Sequence, residues 1–87
     1  MSAGIGFVIF ASRNGAMLVV AHDAGYALVK MLGDEGAITV GDAVAGKWDA
    51  VGDEPIHCRG SRYDAFFQGT WSSRDPPVSM ARVVAGR

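Results

Sequence analysis

Apolar residues along this chain come in short blocks broken by glycine-containing turns, and the blocks have the length of strands. Residues 5–12 contain the unbroken run Phe7-Val8-Ile9-Phe10. Period alone leaves such a run open between strand and buried helix, but its β-branched and aromatic content favours a strand. Arg13-Asn14-Gly15 follows, and Asn-Gly readily takes the positive φ angles of a type I′ hairpin turn. The returning strand, residues 16–21, is apolar on both faces, as suits a central or barrel position. His22-Asp23-Ala24-Gly25 makes the next turn. Residues 26–32 then alternate, with Ala27, Val29 and Met31 on one face and Tyr26, Leu28, Lys30 and Leu32 on the other. Good helix formers also populate residues 24–32, so a helix stays open there, although one so short is marginal in isolation.

Residues 38–51 read as the most strongly curved strand of a small barrel. Ile38 and Val40 lead into Gly41-Asp42, after which Val44, Gly46 and Trp48 alternate with Ala43, Ala45 and Lys47. A core-facing glycine beside a large aromatic removes a Cβ where a sheet folds over itself. A loop reaches to Pro55, a short strand covers residues 56–59, and Gly60-Ser61 turns into a long strand over residues 62–71. There Tyr63, Ala65, Phe67, Gly69 and Trp71 form the core set, which leaves Phe66 as a large aromatic on the polar face. Pro76-Pro77 cannot continue a central strand. Residues 77–85 form a short helix with a thin apolar stripe (Val78, Ala81 and Val84 or Ala85) and Gly86 as its stop. Whether that helix plugs one end of the barrel or frays stays open. The elements predict one all-β domain over residues 1–87, an OB-like barrel of five or six strands with a short C-terminal helix. A small α+β arrangement results if residues 24–32 are helical.

Composition narrows the function classes more than it narrows the fold. Apolar residues make up 49% against 20% charged, which is far from a disordered chain. The formal net charge of −1 lacks the basic excess usual in nucleic-acid binders. The single cysteine, Cys58, allows neither an internal disulfide nor a multi-cysteine zinc site, and a lone thiol fits a reducing, cytoplasmic setting. The apolar run at residues 4–11 is too short to span a membrane and lacks the flanks of a signal sequence; no membrane partner is expected.

No catalytic set assembles from the sequence. His57 and Cys58 are adjacent on a strand and so point to opposite faces, which bars a nucleophile–base pair. His22, Asp23, His57 and Cys58 are the available metal donors, and their spacing repeats no metal-site pattern; no metal or cofactor is expected. Cys58 reads as a small buried hydrophobe. The acidic residues fall in turns, where carboxylates cap and solvate loops. The candidate binding residues are Lys30, Lys47, Arg59, Arg62 and Phe66, a basic and aromatic surface of the kind on which single strands stack.

The strand before His22, the His-Asp-Ala-Gly turn, the strand at residues 26–32, Val40-Gly41-Asp42 followed by Val44-Ala45-Gly46, and the late aromatic strand with its helix together resemble a loose group of small bacterial proteins, mostly uncharacterised, built as OB-like barrels. The resemblance covers residues 16–83. A Gly-Asp step into a Val-x-Gly strand is also similar to S1-like barrels that bind RNA. This chain lacks their paired surface aromatics and basic excess. The leading expectation is therefore a non-enzymatic module that binds a protein partner or self-associates into a homo-oligomer. Weak binding of single-stranded RNA or DNA through Lys47, Arg59, Arg62 and Phe66 is the alternative.

Overall fold

A computed structural model describes the backbone of residues 4–85 and the side chains of residues 4–83. Six strands, β1 (Gly4–Ala11), β2 (Met17–His22), β3 (Gly25–Met31), β4 (Ala43–Gly46), β5 (Gly52–Cys58) and β6 (Ser61–Trp71), precede one helix, α1 (Asp75–Ala85). They close into a barrel in the order β1-β2-β3-β6-β5-β4 with every pair antiparallel. Two three-stranded meanders thus face each other, and the segment after β3 crosses between them. This is the all-β barrel with a C-terminal helix that the apolar blocks predict, compatible with an OB-like barrel, and residues 25–31 are strand.

Closure falls to β1, which pairs with β4 through Gly4–Phe7 and with β2 through Phe7–Ala11. A bulge between Val8 and Phe10 re-aims the strand midway. The two pairings share Phe7, and at Gly6 just before it a Cβ would lie 2.6 Å from Val20 Cγ1 and 2.8 Å from the Ala21 carbonyl oxygen. The bent strand is therefore β1, not residues 38–51, where strand is confined to Ala43–Gly46. Residues 39–42 turn instead. Gly41 takes φ +96°, and the Asp42 carboxylate accepts the Thr39 N–H at 2.9 Å. Val8 N–H to Asp42 C=O (3.0 Å) and Gly41 N–H to Val8 C=O (2.8 Å) then tie the turn to β1. Alternation survives on either side of it, with Ile38, Val44 and Trp48 all buried. Gly46 plays the part expected of it, since a Cβ would meet Phe67 and Trp48 ring atoms at 3.2 Å.

Other boundaries shift for equally local reasons. The hairpin after β1 is not a type I′ turn: among the described residues Asn14 is not at positive φ, while Gly15 is, at +76°. Ser12 and Asn14 build the loop, because Ser12 Oγ accepts the Met17 N–H and Asn14 Oδ1 accepts from Ser12 Oγ–H and the Ala16 N–H, each at 3.0 Å. β5 begins at Gly52 and includes Pro55, in place of the loop expected up to that proline. Asp64 C=O accepts the Leu32 N–H, so Asp64 faces β3. Its opposite residue, Pro55, consequently faces β4. On that side β5 meets β4 at one position, Ala45 opposite His57, and no ladder hydrogen bond is lost. The helix starts at Asp75 because prolines in a first turn forfeit no intrahelical bond.

Inside the barrel lie Val8, Leu18, Val20, Val29, Met31, Ile56 and Phe67 with their neighbours. A second apolar cluster lies outside it, where Met17, Val19 and Leu28 meet Val78 and Ala81 of α1. The helix neither plugs an end nor frays; it covers the outer face of β2 and β3, which explains why β2 is apolar on both sides. Arg82 lies over the Phe10 ring at 5.5 Å and adds a cation–π contact. Val84, Ala85 and Gly86, expected to extend the stripe and stop the helix, lie outside the described side chains. Trp71 belongs to this outer cluster and not to the barrel interior. The bulge opposite Leu28/Val29 places Gln68 as an extra residue between Phe67 and Gly69, so the inward parity of β6 is lost beyond it.

Gly6→Ala tests the bend in β1. Because part of the clash is with backbone, repacking cannot remove it, and the variant should lose about 1–3 kcal/mol in urea unfolding. An unchanged midpoint would show that β1 is free to relax at Gly6.

Candidate functional site

Two surfaces carry chemistry, one seen in the sequence and one not. Of the sequence-derived candidates, Lys30 and Phe66 stand opposite each other on β3 and β6, with Asp53 of β5 on the other side of Phe66. Arg62 points outward from β6 and lies 3.5 Å from Asp64. Lys47 follows β4 with its ammonium 4.0 Å from Glu54. Arg59, at the β5–β6 turn with φ +50°, is a fastener: Nη1 lies 2.8 Å from Asp42 Oδ2, and Nη2 donates to the Ala37 carbonyl at 2.6 Å. It joins the turn after β5 to the segment after β3. Lys30, Phe66 and Arg62 thus share one outer face, while Lys47 and Arg59 stand apart from it. Three of the four cations already have carboxylate partners.

The electrostatics at this fastener are one-directional. The Thr39 N–H and then the Arg59 guanidinium hold the Asp42 carboxyl below its ordinary value of 3.8. Cys58 is a core thiol inside the barrel, and burial pushes its pKa up, which disfavours the thiolate. His57 is exposed on the opposite face of β5.

The surface that sequence reasoning missed is the barrel mouth where β1 starts and β4 ends. Trp48 packs its ring on Phe67 with centroids 5.5 Å apart and 13° between planes. The His22 imidazole also stacks on it, at 5.9 Å and 18°. Its indole N–H donates to the Gly4 carbonyl at 2.9 Å. His22 is held in turn by two bonds that settle its tautomer. Ala24 N–H donates to Nδ1 at 3.3 Å, which requires a bare Nδ1. Nε2–H therefore donates to Thr70 Oγ1 at 2.8 Å, and the Thr70 hydroxyl donates to the Tyr26 carbonyl at 3.2 Å. Burial outweighs the nearby carboxylates Asp23 and Asp49 and lowers the His22 pKa below 6.5. Beside this stack opens a cleft of about 460 Å³, lined by Gly4, Ile5, Asp23, Lys47 and Asp49 among others. The signal in the sequence was thin: a histidine at a turn and a tryptophan after a glycine, 26 positions apart, with nothing local to pair them.

A third feature is apolar and lies on the outer faces of β1 and β4. Ile5 is 60% exposed and Phe7 55%, opposite Ala45 and Ala43 respectively. Phe66, by comparison, is 36% exposed between a lysine and an aspartate.

No family model, no curated protein and no solved structure matches this chain.

The neutral, bonded His22 predicts a pH dependence of stability. Unfolded, the imidazole takes a proton near 6.5; folded, it resists until lower pH. Between those points the unfolded state binds more protons, so stability falls as pH drops below 6.5 and levels off once the folded imidazole also titrates. Asp42 adds a separate loss that begins below its ordinary 3.8. Urea midpoints measured from pH 7.5 downward should show the first step in the wild type and lose it in His22→Gln. A wild-type profile flat from neutrality to pH 5 would contradict the assignment.

Proposed function

We propose that this protein is a non-enzymatic, OB-like binding module that self-associates through the outer face of β1 and β4. One observation carries this reading: Ile5 and Phe7, two large apolar side chains more than half exposed, face outward beside Ala43 and Ala45. Small residues next to large ones form a surface of knobs and shallow seats that a second copy can fill. Large exposed apolar groups in one patch mark interaction sites, whereas scattered ones do not. Dimers also favour two-fold contacts that use the same patch twice.

Binding of single-stranded nucleic acid has less support. Lys47, Arg59 and Arg62 each lie within 4.0 Å of a carboxylate, and Phe66 is the one aromatic among the candidate binding residues. Stacking platforms instead use several aromatics within an unpaired basic groove. Enzymatic use has no support from Cys58 or His57, which occupy opposite faces of β5.

Sedimentation equilibrium of the wild type and Phe7→Glu tests the reading. The wild type should sediment as a dimer, and the charged variant should be a folded monomer with an unchanged circular dichroism spectrum. A wild type that is monomeric at high concentration would sink the proposal. A titration with labelled oligopyrimidine at low salt runs alongside, and no saturable binding is expected there.

A further inference from the structure

The barrel mouth shares Ile5 with the proposed association face, but it has a charge that self-association does not use. Of the charged groups lining the cleft, Asp23 and Asp49 form no ion pair among the described residues. Lys47, the cation on the same rim, turns its ammonium toward Glu54. The sign of the opening is therefore set by two unpaired carboxylates. Its walls are otherwise apolar or backbone: Ile5, Ala24, Gly4 and Gly46, with the Phe67–Trp48–His22 stack behind them. Small-ligand sites combine these traits, a concave apolar pocket of roughly 300–1,000 Å³ with a few convergent polar groups, and barrel mouths are a preferred place for them.

We propose that the cleft between His22, Trp48, Asp23 and Asp49 binds a small organic cation, an alkylammonium group attached to an apolar body. The ammonium is held between the two carboxylates, and the apolar body lies against Ile5, Ala24 and the outer side of the His22 ring. A metal ion fits less well, because among the described residues no three His, Cys, Asp or Glu side chains converge. An anion would face Asp23 and Asp49 without a free cation to meet it. Trp48 is buried and presents only its edge to the cleft wall, so it acts mainly by supporting the imidazole. His22 adds a condition. Its ring is faced by Asp23 from its own turn, Asp49 from the turn after β4, Thr70 from β6, and Lys47 across the rim. Protonating it places a second cation in the opening, which competes with the ligand for the same carboxylates.

The test is titration by heteronuclear NMR with phenethylamine and with its neutral counterpart 2-phenylethanol, on the wild type and on Phe7→Glu. The second protein keeps the outcome independent of self-association. Phenethylamine should shift the amides of residues 22–24 and 46–49 and the Trp48 indole N–H, saturating in the millimolar range. The alcohol should bind at least about tenfold more weakly. Asp49→Asn and Asp23→Asn should each weaken amine binding by about three- to tenfold while leaving distant amide shifts in place, which shows that they fold. Amine binding should also decline in the wild type once the folded His22 takes up its proton, at a pH lower than 6.5, and persist in His22→Gln. A lysine amide with its α-amine capped, run in parallel, separates a free amine from a protein lysine as the source of the ammonium. No shifts at the mouth with either amine, equal binding of amine and alcohol, or indifference to both aspartate substitutions would overturn the proposal.

Discussion

The indole of Trp48 is the contact on which the barrel's closure depends. It follows the shortest strand, β4, yet reaches three other parts of the chain: the Phe67 ring on β6, the His22 ring at the end of β2 and the Gly4 carbonyl at the start of β1. A four-residue strand has few ladder bonds with which to hold its place. Stacking on two rings and a partly buried hydrogen bond supply the rest. The glycines around it follow from the same requirement. A Cβ on Gly46 would crowd the indole and the Phe67 ring at 3.2 Å, and one on Gly6 would press on Val20 and the backbone of β2.

Much of the architecture was legible in the chain because a barrel strand writes its faces in alternation. Ala27/Val29/Met31, Val44/Gly46/Trp48 and Ala65/Phe67 all pointed inward as their period required. What could not be read was where the alternation slips. Bulges at Ile9 and Gln68 each insert one residue, and the parity of everything beyond them inverts. Trp71 therefore belongs under the helix, and the outward Ile5 and Phe7 were hidden within a run that is apolar at every position. The absence of alternation in β2 had the opposite meaning, two covered faces, and only the docking of α1 distinguishes these cases. Pro55 misled for a related reason. A proline argues against a central strand, but β5 is central on one side and open on the other along most of its length.

The candidate site was less legible than the fold. Lys30, Arg62 and Phe66 do share a face, because they lie on neighbouring strands with readable parity. The roles of Lys47 and Arg59 depended on carboxylates distant in sequence, Glu54 and Asp42, whose proximity the crossing after β3 and the turn after β4 create. His22 and Trp48 were visible as residues and invisible as a pair. The chemistry of such a mouth comes from loop ends that converge in space, and no local pattern records it.

The seam between β4 and β5 gives the ring one thin joint. Elsewhere neighbouring strands match along several residues, but here a single pair, Ala45 and His57, carries the register, and Pro55 beside it has no N–H to contribute. Opening this joint would leave a single curved six-stranded sheet in the order β4-β1-β2-β3-β6-β5 in place of a cylinder. Partial openings tend to begin where the fewest bonds must break, so amides of β4 and early β5 should exchange with solvent sooner than those of β2 and β3. The molecule then has a lengthwise slit as well as two mouths, and its interior is most easily reached through the wall.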